Sequence, residues 1–178
     1  MEIVAAQRDV RKVFMGGFPG QLVSSAVWFV SAAAATWYSP KAGILLLAVG
    51  GTFIFPLTQL LLRLMGRPAS LPKGHPMNAL AMQAAFTLPL NFPLVLAATL
   101  HHPYWFYPSF MIALGAHYLP FVFLYGMWQF AALAAALVAS GVLILMYLPA
   151  PFSLGGWLTA AALLAFALTA RSARQAPG

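Results

Sequence analysis

The feature that most constrains this chain is a series of apolar segments, each about as long as a membrane-spanning helix. A helix needs about 20 apolar residues to cross the hydrocarbon core of a bilayer. Six segments qualify, at residues 20–38, 43–64, 77–100, 108–125, 128–148 and 154–170. We number them spans 1 to 6 and predict an all-α fold, a polytopic membrane helical bundle of six transmembrane helices. Gly126 is predicted to turn the chain between spans 4 and 5.

The composition agrees with a chain that is solvated mainly by lipid. Only 6% of the 178 residues are charged and 62% are hydrophobic. A soluble domain carries about 25% charged residues, because water must solvate its surface. We therefore expect the lipid bilayer to be the main partner. The chain contains no cysteine, which excludes disulfides, thiolate catalysis and cysteine-ligated metal sites.

The basic residues predict how the chain is oriented. Of the nine Lys and Arg residues, all but one fall on the same side of the predicted spans: Arg8, Arg11, Lys12, Arg63, Arg67, Lys73, Arg171 and Arg174. Lys41 alone falls on the other side. The positive-inside rule then predicts an even number of spans with both termini in the cytoplasm. No nucleic-acid partner is expected, because that would require a basic face on a folded domain.

These assignments divide the chain into three parts. Residues 1–16 form a cytoplasmic or interfacial segment, residues 17–170 a single six-helix transmembrane domain, and residues 171–178 a short basic cytoplasmic tail. Four apolar residues of the first part fall near one helical face and predict a short interfacial helix: Ile3, Val4, Val10 and Phe14. Contacts with lipid headgroups or anions are expected from Arg8, Arg11, Lys12, Arg63 and Arg67.

Span 3 carries a polar stripe inside the predicted membrane region. Gln83, Thr87 and Asn91 recur every four residues, so they share one face of a helix. An unpaired polar group in hydrocarbon costs several kcal/mol, so the stripe must face other helices or a water-filled cavity. Two interpretations remain open, which are hydrogen bonds that join helices and the lining of a binding cavity.

Prolines and glycines inside the spans predict bent helices and close helix contacts. A proline frees the carbonyl four residues earlier and bends the helix axis. The residues concerned are Pro56, Pro89, Pro93 and Pro120 for bending and Gly50, Gly51 and Gly115 for close approach. Broken helices that meet polar side chains form the binding sites of many transporters, although ordinary bundles also use them to fit helices together.

His117 lies in the middle of span 4, beside Tyr118 and one turn before Pro120. Three roles are compatible with an imidazole at this depth. It can be a neutral group hydrogen-bonded to a neighbouring helix, a donor and acceptor for a polar ligand, or a ligand of haem or a metal ion. We predict no metal site and no cofactor, because the spans supply no carboxylate or thiol that would complete such a site.

Carboxylates are absent from all six predicted spans, because the only acidic residues are Glu2 and Asp9. Cation-coupled carriers and intramembrane aspartyl proteases both depend on such groups. The chain also has no glycine-rich phosphate loop and no nucleophile with a plausible base. We therefore expect that the protein is not an enzyme.

Two passages of the sequence resemble each other and raise the hypothesis of a repeat. WYSP at residues 37–40 precedes span 2, and WFYP at residues 105–108 precedes span 4. A fainter third copy begins at residues 150–151, before span 6. Each copy would begin on the outer side, so the repeated units would be three helical hairpins in the same orientation.

Three passages resemble an uncharacterised family of small bacterial multi-pass integral membrane proteins, a domain of unknown function. They are FMGGFPGQLVS (residues 14–24), FIFPLTQLLLRLMGRPASL (residues 53–71) and GAHYLPFVFLYGMWQF (residues 115–130). The resemblance covers most of the chain. It implies a hydrophobic helical bundle in the bacterial cytoplasmic membrane, and it implies no reaction, substrate or catalytic residue.

The leading functional hypothesis is a binding or permeation site for a small neutral or anionic molecule on spans 2–4. The ligand would be bound by Gln83, Thr87, Asn91, His117 and Tyr118. A pore would require a homo-oligomer, because the chain is small. The first alternative is a non-catalytic membrane scaffold or accessory subunit that binds lipid or a protein. The second is a haem or metal protein that uses His117.

Overall fold

The computed structural model describes residues 2–147 and 150–172, and the regular structure in those ranges is helical throughout. The helices, in chain order, are α1 (Ile3–Val13), α2 (Phe18–Trp37), α3 (Pro40–Leu64), α4 (Asn78–His101), α5 (Phe106–Tyr125), α6 (Gln129–Met146) and α7 (Leu154–Ser172). Short 3-10 turns at Met15–Gly17 and Pro103–Trp105 precede α2 and α5. The predicted all-α fold is confirmed.

Five segments of the described chain are long and apolar enough to cross a membrane. They are Met15–Trp37, Pro40–Leu64, Asn78–His101, Pro103–Tyr125 and Gln129–Met146, and they coincide with predicted spans 1 to 5. Predicted span 6 coincides with α7, whose apolar part, Leu154–Thr169, is shorter. The last residue of predicted span 5 and residues 173–178 of the predicted tail lie outside the described residues.

Residues with restricted or unusual backbone preferences set the helix ends. Gly16 and Gly17 have φ values of 63° and 88°, which end α1 and allow the chain to enter α2 at a new angle. Ser39 caps α3, because its hydroxyl accepts a hydrogen bond of 3.2 Å from the Ala42 amide. Gly126 ends α5 with a φ of 61°, so the turn predicted between spans 4 and 5 is confirmed.

Four helices form the centre of the bundle and two lie outside it. Helix α2 packs along α7 and α5 packs along α6, while contacts between α6 and α7 join the two pairs. Helix α3 packs along α2, and α4 packs along α5. Packed neighbours run antiparallel, since Gly115 of α5 lies against Ala134 of α6 and Gly141 of α6 lies against Pro108 of α5.

This arrangement corrects two predictions. Three equivalent hairpins are not formed, because α5 and α6 pack along each other whereas α3 and α4 pack on different neighbours. For the same reason spans 2, 3 and 4 do not converge on one site. The prediction failed because lipid-facing and helix-facing apolar residues are alike in composition, so hydropathy locates a helix but not its neighbours.

Aromatic side chains fill the space between the central helices. Trp28, Tyr107 and Phe130 are each at most 2% exposed. The Trp28 ring lies 6.0 Å from that of Tyr107, which joins α2 to α5. The Phe130 ring lies 4.6 Å from that of Phe166, which joins α6 to α7. The centre of the bundle is therefore a packed core.

Glycine permits close helix approach at only some of the predicted positions. A Cβ atom at Gly115 would lie 2.6 Å from a Val138 methyl group and 2.9 Å from the Ala134 carbonyl oxygen. A Cβ atom at Gly50 would lie 2.9 Å from Val27. The close approach predicted at Gly51 is absent, because a Cβ atom there would meet no atom within 4 Å. Gly51 follows Gly50 in α3, so it points in a different direction from the helix axis and faces away from α2.

The predicted prolines lie inside α3, α4 and α5, and these helices continue through them. Pro56, Pro89 and Pro93 are exposed on the outside of the bundle, whereas Pro120 is half-buried. The prolines of α3 and α4 therefore do not face a common interior. They lie on surfaces that contact the surrounding solvent or lipid.

Helix α1 lies across the end of α5 with a face partly different from the one expected. Ala6 and Val10 are buried, whereas Ile3 and Val4 are exposed. The predicted apolar face is thus corrected in part, since Val10 and Phe14 pack against the bundle as one face would, whereas Ile3 and Val4 do not and Ala6 does. Gln7 donates a hydrogen bond of 2.6 Å to the Phe123 carbonyl. The same carbonyl accepts a longer bond of 3.3 Å from the Gly126 amide, so Gln7 adds a second donor at the C-terminus of α5.

Candidate functional site

The predicted polar residues of α4 and α5 meet at one point. Thr87 Oγ1 lies 2.8 Å from His117 Nδ1 and 2.7 Å from the Ala84 carbonyl oxygen. The donor and acceptor roles of Oγ1 and Nδ1 follow from the tautomer of the ring, and the Ala84 carbonyl also interacts with the imidazole. Ala84, Thr87 and His117 therefore form one hydrogen-bonded group that joins α4 to α5.

Asn91 lies one turn further along α4 and uses only part of its hydrogen-bonding capacity. Its Nδ2 donates a bond of 2.7 Å to the Thr87 carbonyl. A side-chain amide has two donors and two acceptor lone pairs. The described structure gives its Oδ1 no partner, so the acceptor side of Asn91 is available to another molecule.

Gln83 does not join this group, because it is exposed on the outside of the bundle. A four-residue spacing drifts by about 40° per step round a helix of 3.6 residues per turn. Gln83 is therefore turned by about 80° from Asn91. Of the three residues in the predicted stripe, only Thr87 and Asn91 lie on the same side of α4.

A groove of about 280 Å³ lies between α4 and α5, on the side of the bundle. Its polar lining comes from Asn91 and Ser109, and its remaining lining is apolar, for example Leu94, Ile112 and Ala116. Neither Thr87 nor His117 lines it. The groove begins at Asn91, near the middle of α4, and extends toward the end of the bundle where α5 begins.

Tyr118 is separated from the groove. It is 3% exposed, and its hydroxyl donates a hydrogen bond of 2.9 Å to Gln21 Oε1 on α2. Tyr118 therefore joins α5 to α2, on the side of α5 that faces the core. The structure brings together Thr87, Asn91 and His117, and it leaves Gln83 and Tyr118 elsewhere.

The main buried polar series lies on α2, to which the sequence analysis assigned no role. Ser25 donates to the Ala160 carbonyl at 2.8 Å, and Ser31 donates to the Gly43 carbonyl at 2.8 Å. Ser31 Oγ also lies 2.5 Å from the Tyr107 hydroxyl. These bonds join α2 to α7, α3 and α5. Gln21 and Ser25 are four residues apart and lie near one face of α2, whereas Ser31, six residues further on, lies about 120° round the helix, so the three do not form a single stripe in the sequence.

A second groove, of about 510 Å³, lies between α2 and α3. Its lining is apolar throughout and includes Val23, Val27, Leu57 and Leu64. It opens on the side of the bundle away from α5. No residue predicted to bind a ligand lines this groove, although Gly50 does.

One end of the bundle carries most of the described charge. Arg8, Lys12, Arg63 and Arg67 are exposed at this end, together with Lys73 in the connection from α3 to α4. Arg11 differs, because its guanidinium donates to the Tyr125 carbonyl at the C-terminus of α5. In the same connection His75 is buried. Its Nδ1 accepts a hydrogen bond from the Met77 amide, and its Nε2 faces the Asp9 carboxylate at 3.7 Å.

No cluster of three or more His, Asp or Glu residues that could hold a metal ion is found in the described part of the chain. His117 offers at most Nε2 to a metal or haem, because Nδ1 is bonded to Thr87. His101 and His102 lie at the far end of the bundle, where their rings contact Trp105 at 5.3 Å and 5.6 Å. The three histidines are therefore not brought together.

The fold is an apolar helical bundle with lateral grooves, and by length and composition its helices are compatible with a membrane protein. The chain belongs to a family of unknown function (DUF7010), whose sequence profile matches residues 3–172. The expected membership of an uncharacterised family is thus confirmed. Comparisons with curated proteins and with solved structures give no match.

Proposed function

We propose that the protein spans the bacterial cytoplasmic membrane six times, with both termini in the cytoplasm. The five long apolar helices support membrane insertion. Helix α7 supports a sixth span, because it packs antiparallel to α2, with Ser25 bonded to Ala160 and Thr36 to Ser153. The basic end of the bundle, with Arg63 and Arg67, supports the cytoplasmic assignment of that end.

Within this topology we propose that the groove between α4 and α5 binds a small neutral amphiphile. The observation that carries the proposal is the unused hydrogen-bonding capacity of Asn91 and Ser109, which both line the groove. Asn91 lies near the middle of α4, where a polar group needs a partner, and a ligand hydroxyl or carbonyl would supply one. Ser109 lies in the first turn of α5, at the other end of the groove. A neutral ligand is favoured over an anion because no basic residue lines the groove.

The size of the groove limits the ligand. Its volume of about 280 Å³ lies just below the 300–1,000 Å³ that is typical of small-molecule sites. The groove opens sideways, whereas the core between α2, α5, α6 and α7 is filled by side chains such as Trp28 and Phe130. These features support binding from the bilayer more than permeation through a single chain.

A scaffold or accessory subunit is the second candidate function. The observation that favours it is the bond between Thr87 and His117, together with the bond from Asn91 to the Thr87 carbonyl. Polar groups that satisfy one another join helices without the need for a ligand. Under this hypothesis the outer faces of α3 and α4 contact lipid or a partner protein. A haem or metal role for His117 lacks a second ligand in the described structure.

Native mass spectrometry of protein gently extracted from its membrane tests the binding site. We expect a co-purifying small molecule that is lost in Asn91→Leu and Ser109→Ala. Ala116→Phe should also exclude it, because Ala116 is exposed and lines the groove. Ala136→Phe is the matched control, since Ala136 is an exposed alanine of α6 that does not line this groove. If no small molecule is found, or if it persists in Ala116→Phe, the scaffold hypothesis is favoured.

A further inference from the structure

The apolar groove between α2 and α3 has the dimensions of a site for one hydrocarbon chain. Its volume is about 510 Å³ and every lining residue is apolar. Most of its α3 lining residues lie between Gly50 and Leu64, a distance of about 21 Å at 1.5 Å per residue. Half of a bilayer core is about 15 Å thick. The groove therefore extends from the basic end of the bundle along the whole of one leaflet and past the middle of the bilayer core.

The end of this groove is positively charged. Arg63 lies in the last turn of α3, and Arg67 follows it in a turn in which its amide donates to the Leu62 carbonyl at 2.9 Å. Both arginines are exposed. Two full charges exceed the roughly half negative charge at the C-terminus of a helix. A net positive charge thus remains where the groove meets the membrane surface.

Acidic side chains of the protein do not neutralise these two arginines. The sequence contains two acidic residues, Glu2 and Asp9. Asp9 faces His75, and no ion pair involving Arg63 or Arg67 is found among the described residues. Arginine binds phosphate through two parallel hydrogen bonds, which makes it well suited to a phospholipid headgroup.

We propose that this groove binds one acyl chain of an anionic phospholipid, whose phosphate is bound by Arg63 and Arg67. The apolar lining selects a hydrocarbon chain, and the sideways opening admits it from the surrounding bilayer. The arginines select a negative headgroup at the same end. The site lies on a different face of the bundle from the groove between α4 and α5, so the proposal does not depend on the function proposed for that groove.

Lipid titration of the full-length protein, followed by native mass spectrometry, tests this site. The probes are phosphatidylglycerol and phosphatidylcholine with identical acyl chains. We expect tighter binding of phosphatidylglycerol. Arg63→Gln and Arg67→Gln should each weaken phosphatidylglycerol binding about fivefold, which is the effect of one basic residue at a membrane surface. Phosphatidylcholine binding should weaken less than phosphatidylglycerol binding in both variants, because its cationic choline offsets the charge of the phosphate.

A second pair of variants tests the groove itself. Ala26→Trp should abolish binding of both lipids at this site, because Ala26 is an exposed residue of the lining. Ala136→Trp is the control, an equal substitution on an exposed position of α6, and it should bind lipid as the unsubstituted protein does.

Three results would overturn the proposal. They are equal affinity for the two lipids, undiminished phosphatidylglycerol binding in both arginine variants, and binding of glycerol phosphate as tightly as the intact lipid. The last result would show that the arginines bind a soluble anion. The arginine variants decide the outcome even if Ala26→Trp does not fold, because both arginines are exposed and their replacement leaves the helix packing intact.

Discussion

Thr87 and His117 join α4 to α5 through a hydrogen bond of 2.8 Å between Oγ1 and Nδ1. Helix α4 packs on α5 alone among the long helices. This polar contact is therefore one of the few specific connections that hold α4 in register. Apolar contacts between membrane helices specify register less strictly, because lipid tails are as apolar as the helix surfaces.

We expect Thr87→Val to destabilise the protein by about 1 kcal/mol, because it removes this interhelical bond. Unfolding in mixed micelles with increasing denaturing detergent measures the change. Thr99→Val is the matched control, since the Thr99 hydroxyl bonds only to the Val95 carbonyl of its own helix. Equal losses of stability in the two variants would show that the bond to His117 contributes nothing specific.

The hydrogen bond between Gln21 and Tyr118 is expected to contribute more to the free energy of unfolding than the one between Ser31 and Tyr107. Tyr118→Phe leaves Gln21 Oε1 buried without its partner, which costs about 1–3 kcal/mol. Tyr107→Phe should cost less, because the Ser31 hydroxyl keeps its bond to the Gly43 carbonyl. The same unfolding measurement compares them, and a larger loss for Tyr107→Phe would contradict the assignment.

Two glycines provide a test of close helix packing. Gly115→Ala should destabilise the bundle by about 1–3 kcal/mol, because its Cβ would lie 2.6 Å from Val138 and 2.9 Å from a backbone oxygen of α6. Gly51→Ala should stabilise α3 by up to about 1 kcal/mol, since the added methyl group meets no atom and alanine favours helix. A neutral or stabilising effect of Gly115→Ala would argue against the close packing of α5 on α6.

The contact of α1 with α5 predicts that the backbone amides of α1 are protected from hydrogen exchange. Gln7→Leu should accelerate backbone hydrogen exchange throughout α1, because it removes the bond to the Phe123 carbonyl. Arg8→Gln should leave the exchange unchanged, since Arg8 is exposed on the opposite side of the helix. Mass spectrometry after timed exchange measures both. Slow exchange in Gln7→Leu would mean that the Arg11 hydrogen bond and the apolar contacts hold α1 without Gln7.

The proposed topology can be tested by single cysteines, because the chain has no native cysteine that would react. A membrane-impermeant maleimide added to intact cells should label His102→Cys, which lies between α4 and α5. It should label Ser70→Cys and Ser172→Cys only after the membrane is permeabilised. Labelling of Ser172→Cys in intact cells would mean that α7 does not cross the membrane.

The positions of the helices could be predicted from the sequence, whereas their neighbours could not. In lipid each helix must satisfy its own backbone, so a spanning helix has to be a continuous apolar segment. The sequence does not show in the same way which apolar residues are buried, because the same residue type occurs in both environments. Leu47 is 2% exposed and the adjacent Leu46 is 41% exposed. The outer positions of α3 and α4 therefore followed only from the structure.

Part of the candidate site could be predicted from the sequence, and the reason is related. A polar residue in an apolar segment must find a partner, which correctly drew attention to Thr87, Asn91 and His117. The sequence does not specify which partner, so Tyr118 was grouped with His117 although it bonds to Gln21. Ser25 and Ser31 were missed because serine is common in helices and its partners here are backbone carbonyls of distant segments.

The polar side chains of α2 also set the order in which the bundle can be completed during synthesis. Gln21 bonds to a residue 97 positions later, and Ser25 bonds to one 135 positions later. At about 5–20 residues per second, Ser25 waits about 7–27 seconds for its partner to leave the ribosome. During that time Ser31 and then Gln21 meet their partners, whereas the Ser25 hydroxyl still lacks its own. Ribosome-bound intermediates that end before α7 are thus the forms of this protein most dependent on temporary partners.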